Sequence, residues 1–258
     1  MKIETPDPPG PVTVAISLGA LLAVWVVAAR LTADPTILPG PLAVWQVILE
    51  EAASGELGRH VGATLRRVAL AFAAAMAFGT ALGVALGLSP RFDRWAGPWV
   101  TVALNVPALV VIVLCYLWIG LNETAAITAV AVNKTAMVAV ILREGIRSLD
   151  PGASEMAKVY RMSHIARIRH VVLPQLWPFF STAIRNGIAI IWKIVLVVEF
   201  LGRSDGVGFR IHLFFQLFEI DHVLAYSVTF IAVMLAFEYG VVRLLETRST
   251  RWREARAA

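Results

Sequence analysis

The chain has 258 residues, 58% hydrophobic and 16% charged, with a formal net charge of +5. An ordinary soluble domain is roughly 45 to 50% apolar, so this composition points to a bilayer as the solvent. The basic residues flank apolar runs instead of gathering on one polar face, which speaks for membrane topology and against nucleic acid. Cys115 is the single cysteine and lies inside an apolar run, so it reads as a small apolar filler and excludes a disulfide framework.

The first ten residues, MKIETPDPPG, are polar and proline-rich and are expected to be poorly ordered. Residues 11–31 form the first apolar run, long enough to cross roughly 30 Å of hydrocarbon. The run exceeds the apolar region of a signal peptide, and Lys2 is offset by Glu4 and Asp7. A retained anchor helix is therefore expected over a cleaved leader. Residues 32–41 hold too many prolines for a helix. From 42 to 57, Leu42, Val44, Trp45 and Ile48 fall to one side and Glu50, Glu51 and Glu56 elsewhere, the pattern of a short amphipathic helix at the outer interface, with a plain connecting helix as the alternative.

The second span begins near residues 60–67 and continues through Leu88. Within it Gly79, Gly83 and Gly87 recur every fourth residue beside Ala77, Ala81 and Ala85. Small residues at this spacing let helix backbones approach closely in lipid, which predicts a packing face. Residues 89–98 read as a cytoplasmic loop carrying Arg91 and Arg94, with Trp95 at the interface. A third span, 99–119, contains Pro107, expected to kink it. The fourth span, 125–142, carries Asn133, Lys134 and Thr135. A fifth runs from 179 to 201, a polar outer segment covers 202–221, and a sixth span runs from 222 to 245. The tail holds Arg248, Arg251, Arg253 and Arg256. Basic residues concentrate in the segments that six spans would place inside, so both termini are expected in the cytoplasm. The expectation is thus an all-α polytopic membrane protein in three parts: 1–57, a core over 58–246, and a basic tail over 247–258.

No phosphate-binding GxxxxGK[ST] loop and no HExxH occurs, and the five histidines do not pair at metal-ligand spacing. Neither catalytic residues nor metal ligands are expected. Residues 202–206, GRSDG, match G-x-S-x-G around Ser204, but a hydrolase elbow needs a preceding strand, so a turn is expected there. Ionisable groups at bilayer depth are costly and face partners or water-filled cavities. Arg185 and Glu238 lie at similar depth and read as a salt bridge. Lys134 and Lys193 have no acid at their level, and Asn186 shares a helix face with Lys193. Together with Asn133 and Glu199 they outline a translocation pathway suited to an anion. Lysines that snorkel, or that pair across a subunit interface, are the alternative.

Between the fourth and fifth spans lies EMAKVYRMSHIARIRHVVLP, Glu155 to Pro174, a basic island within a polar loop over 143–176. Glu155, Ala157, Leu173 and Pro174 fall in register with the cytoplasmic loop of the permeases of ATP-binding-cassette importers, which reads Glu-Ala-Ala, three residues, Gly, nine residues, Ile, one residue, Leu-Pro. Val171 stands at the Ile place, Met156 at the second-position Ala, and Arg161 at the Gly. In that family the Gly breaks the loop into two short helices, so here either the bend has another solution, near Ser163, or Arg161 continues a straight helix. Residues 174–202, with Trp192 and Glu199, and the closing LLETRSTRWR resemble the nitrate, sulfonate and taurine group in particular. Residues 132–137, VNKTAM, depart from that group.

The resemblance implies a type I importer transmembrane domain in a bacterial inner membrane. It implies a second permease copy, a cytoplasmic ATPase dimer carrying ATP and Mg, and an extracytoplasmic substrate-binding protein. Glu155, Ala157, Lys158 and Arg161 would meet the ATPase, and Leu173 and Pro174 would join the loop to the fifth span. The other classes open at this point are an ion-coupled secondary transporter and a membrane hydrolase built on Ser204.

Overall fold

The computed structural model describes the backbone of residues 11–254 and side chains over 12–237. The expected disorder of the first ten residues, the side chains of the arginine tail and the Glu238 partner of Arg185 lie outside the described residues. Every regular element described is helical.

Helix α1 spans Pro11–Thr32, an apolar stretch whose large described side chains are exposed except for the half-buried Trp25 and Val26. In water that would be unfavourable; in hydrocarbon it is the natural state. Pro41 at the first helical position opens α2, Pro41–Ala53, which ends at Ser54 with Gly55 at φ 81°. Helix α3, Glu56–Leu88, has 33 residues, a length of roughly 50 Å at 1.5 Å per residue.

The chain next departs from expectation. Residues 89–98 are not a loop: Ser89 caps α4, Pro90–Asn105, by accepting from the Phe92 amide. Pro107 does not merely kink a span. Helices α4 and α5, Ala108–Ile119, are separate and bent by 99°. Val106, the residue before the proline, takes an extended ψ of 123°, because the proline ring disfavours the helical region there. Asn122 caps α6, Glu123–Arg147, through the Ala125 amide. Helices α7, Pro151–Val159, and α8, His164–Arg167, lead into a π-helical turn, Ile168–Val172, and then α9, Leu173–Gly202. The expected outer segment is largely helical, forming α10, Val207–Leu217, before α11, Ile220–Glu254.

Among the described residues four helices are long and apolar enough to cross a membrane, α1, α3, α6 and part of α11, and five spans result if the α4–α5 pair counts as one. Helix α9 is also long, 30 residues, but carries Arg185, Lys193 and Glu199.

Two compact units divide the chain, one holding the segment up to Gly58 with Ile211–Thr229, the other Arg59–Arg210 with the chain from Phe230. In the first, Val44, Val47 and Ala225 form a core with Trp25, Ile48 and Leu224, and Tyr226 donates its hydroxyl to Glu51. In the second, α6 is central and packs on α9, α5 and α4. The glycine row of α3 lies against it. A Cβ at Gly79 would sit 2.5 Å from Val138 Cβ, at Gly83 2.5 Å from the Ala139 carbonyl, and at Gly87 2.5 Å from Ile146 Cβ. Real contacts do not reach such distances, so no larger residue fits without displacing α6.

Candidate functional site

The segment between α6 and α9 builds its shape from local chemistry. Asp150 caps α7 by accepting from the Gly152 amide at 2.8 Å, with Pro151 at the first helical position. Helix α7 ends in a double hydrogen bond: the Arg161 amide donates to Lys158 O and the Met162 amide to Ala157 O, both at 3.0 Å. That is a Schellman turn, and it requires a left-handed residue at Arg161, whose φ is 49°. The Arg therefore does what Gly would do, at a cost of roughly 1 to 2 kcal/mol for its Cβ. Ser163 starts α8 by accepting from the Ala166 amide, so the bend is shared between Arg161 and Ser163.

The loop is tied to α9 at its base. Gln175 accepts from the Asp150 amide at 2.9 Å through Oε1 and donates to Val171 O through Nε2. Helix α7 lies on the π turn, and Ala157 and Val171 are the residues these two elements bury. The Leu173 amide bonds Ile168 O, five residues back. This wider turn precedes Pro174, whose ring would crowd the carbonyl four residues back in a regular α-helix. The outward face carries Glu155, Lys158 and Arg161 together with Val159, Tyr160 and Ile165, which are 79%, 76% and 78% exposed. Leu173 is exposed and Pro174 half-buried.

A second constellation was not foreseen. His60, Thr64 and Arg67 recur at i, i+4 and i+7 on α3 and are all buried, a polar stripe on one helix face. Arg67, 1% exposed, donates from Nη1 to Glu199 Oε1 at 2.7 Å and to the Asp205 carbonyl at 2.9 Å. Its Nε and Nη2 reach Glu123 at 3.0 and 2.9 Å, and Nη2 also meets the Asp205 carboxylate. Arg66 and Arg203 complete the cluster by pairing with Glu123, so three cations face three carboxylates. Burial opposes ionisation of Asp205 in the loop, but Arg67 outweighs it and holds this carboxyl below its ordinary range.

Glu199, fully buried, also accepts at Oε2 from Thr64 Oγ1 and from the Gly208 amide, each at 2.9 Å. The Gly206 amide donates to His60 Nδ1 and the Val207 amide to Thr64 Oγ1. Gly206, at φ 108°, and Gly208 lie so close to Glu199 that a side chain at either would run into it. The cluster locks α3, the start of α6, the end of α9 and the turn before α10. Residues 202–206 are that turn: they follow a helix, not the strand a hydrolase elbow needs. Glu199 is thus enclosed by protein and opens on no pathway surface of this chain.

The other proposed pathway residues differ in burial. Asn186 and Lys193 are exposed on α9 and Asn133 is half-buried on α6, while Lys134 is 8% exposed. A separate salt bridge joins α4 to α6: Asp93 binds Arg143 at 3.2 Å and Arg147 at its other oxygen. Among the described residues no group of three or more His, Cys, Asp or Glu is placed to hold a metal ion.

Long apolar helices with exposed apolar faces, close glycine packing and charges gathered into buried clusters define a polytopic helical membrane protein. The chain belongs to the family of binding-protein-dependent transport system inner membrane components, whose model matches residues 75–251. It is 31% identical over 236 residues to the putative aliphatic sulfonates transport permease protein SsuC of Bacillus subtilis, covering 91% of this chain and 85% of that one. It is 30% identical over 248 residues to the taurine transport system permease protein TauC of Escherichia coli, covering 93% and 90%. Its fold matches a chain in a crystal structure of an amino acid ABC transporter with histidines, with a TM-score of 0.61 and 22% identity over 78% of this chain and 95% of that one. The importer-permease resemblance and the all-α membrane fold are thereby established. An ion-coupled secondary transporter is a different class from the family shown.

Proposed function

We propose that this chain forms the membrane pathway for a small anion of the sulfonate or nitrate type and is driven by a separate ATPase. Two copies enclose the path, each crossing the membrane six times with α9 as one crossing and both termini in the cytoplasm. A substrate-binding protein delivers the anion on the outer side. ATP and Mg reside on the ATPase dimer. The relatives named as aliphatic sulfonates and taurine permeases support the sulfonate part of this class.

The observation that carries the coupling is the outward face of the 155–165 segment. Exposed apolar side chains next to Glu155, Lys158 and Arg161 on a firmly capped short helix suit a groove on a soluble partner. The partner's movement would reach α9 through Gln175 and the π turn. The test is co-purification of the tagged chain with its candidate ATPase subunit, wild type against Glu155→Arg. Wild type is expected to bring the ATPase down and the variant to lose most of it. Equal recovery with both would remove Glu155 from the contact, and no recovery with wild type would overturn the coupling.

A further inference from the structure

Resting on the importer reading, the structure assigns the anion a contact within the membrane: we infer that the Lys134 ammonium receives it. Lys134 sits near the middle of the 25-residue α6. Val130 and Val138, four residues to either side on the same face, are each 1% exposed. Among the described residues that are buried and charged, Arg67 and Glu199 are bound to each other. Lys134 has no hydrogen-bond or ion-pair partner among the described residues.

The Lys134 ammonium nitrogen keeps some accessible surface although the residue is 8% exposed, so an anion can approach it, and an unpaired ammonium at bilayer depth is unfavourable unless one does. The carboxylates of the neighbouring helices do not supply one. Glu123 and Glu199 are engaged by Arg67, and Asp93 by Arg143 and Arg147. The charge is therefore left for a mobile anion. Lys193, exposed on α9, can extend toward polar surroundings by itself and has no such need. A single point charge with three donors fits a sulfonate or nitrate oxygen without demanding a fixed geometry, which suits a group that must also release its ligand.

The test uses the purified full-length chain and titrates ethanesulfonate, taurine and nitrate against chloride at equal ionic strength, reading the thermal transition. Wild type is expected to rise with at least one probe. Lys134→Met should show a higher transition without anion, because an unpaired charge at bilayer depth is gone, and should lose the anion-dependent rise. Lys134→Arg should keep the rise. Loss of the charge-assisted hydrogen bond should weaken the titration midpoint by about tenfold or more.

Three results would overturn the inference: an equal anion-dependent rise in Lys134→Met, no rise in wild type with any probe, or a lower anion-free transition in Lys134→Met. The last would mean that the ammonium has a partner such as a carboxylate of a second copy. Failure here leaves ATPase co-purification unaffected, so loss of the Lys134 assignment and loss of the importer reading are separately visible.

Discussion

Replacing Arg67 with Met roughly keeps the volume and the apolar stem of the side chain but removes the only cation bound to Glu199 among the described residues. Glu199 is 0% exposed and Arg67 1%, so the carboxylate cannot turn to solvent, and breaking a buried pair from one side costs about 3 to 5 kcal/mol. At about 2 to 4 °C per kcal/mol for a chain of this size, the transition of the purified protein should fall by roughly 6 to 20 °C. The partners lost with Arg67 are unequal. Glu123 and Asp205 retain 29% and 39% side-chain exposure and can be hydrated, whereas Glu199 cannot. Adding Glu199→Gln to Arg67→Met should therefore recover more than half of the loss, because a neutral amide still accepts from Thr64 and the Gly208 amide. Adding Glu123→Gln should recover less than about 1 kcal/mol, because the partly exposed Glu123 carboxylate is already hydrated and stays paired with Arg66 and Arg203. The assay is a double-mutant cycle on thermal transitions in one detergent. A fall in Arg67→Met worth less than about 1 kcal/mol, or equal rescue by the two glutamines, would refute the claim that the cost lies in burying Glu199.

Two further changes probe backbone and packing. Arg161→Gly removes a Cβ from the left-handed position while preserving the Schellman bonds. It should slow hydrogen exchange of the Met162 amide about fivefold, corresponding to roughly 1 kcal/mol, whereas Arg161→Ile should speed it. Gly83→Ala drives a methyl against the Ala139 carbonyl and should lower stability by about 1 to 3 kcal/mol. Gly62→Ala, on the same helix with nothing within 4 Å of its Cβ, should instead stabilise by about 0.5 to 1 kcal/mol; thermal transitions of the two variants check both signs.

The long apolar runs are legible because crossing a bilayer demands length and hydrophobicity, quantities that any window of sequence displays. The glycines at 79, 83 and 87 are legible for a related reason: a fixed four-residue period can meet only one neighbouring face. Where the sequence misleads, competing local rules decide. Pro107 alone does not say whether a span bends or breaks; the extended Val106 and the separate helix that starts at Ala108 settle it as a break. Arg161 stands at a position whose required φ is invisible in its identity, since the turn's hydrogen bonds impose it. The Arg67 cluster is the largest miss. Its partners lie 56 to 138 positions away, and an arginine near the start of a span is ordinary enough to carry no signal by itself. The signal was present in the spacing of His60, Thr64 and Arg67, a polar stripe in an otherwise apolar helix.

Helix α9 connects the two constellations, and its internal chemistry determines what a push on the loop can do. Over 30 residues it runs roughly 45 Å. Its weak points are confined to the end near the loop, where the π turn precedes Pro174 and Pro178 interrupts the next turn. Beyond Pro178 the helix is backed by α6 along Leu142 and Ala183, by the Tyr116 hydroxyl on the Val198 carbonyl at 2.8 Å, and finally by Glu199 in its cage. A lateral displacement of the α7–α8 segment therefore bends the chain at the prolines first, where backbone hydrogen bonds are already missing or widened. The far end stays registered to α3 and α6. If the Arg67 cluster is such an anchor, relaxing it should uncouple loop movement from the membrane helices without detaching the loop from its partner. In the proposed importer, Arg67→Met/Glu199→Gln would then retain ATPase in co-purification while losing ATP-dependent uptake of taurine, whereas Glu155→Arg would lose both.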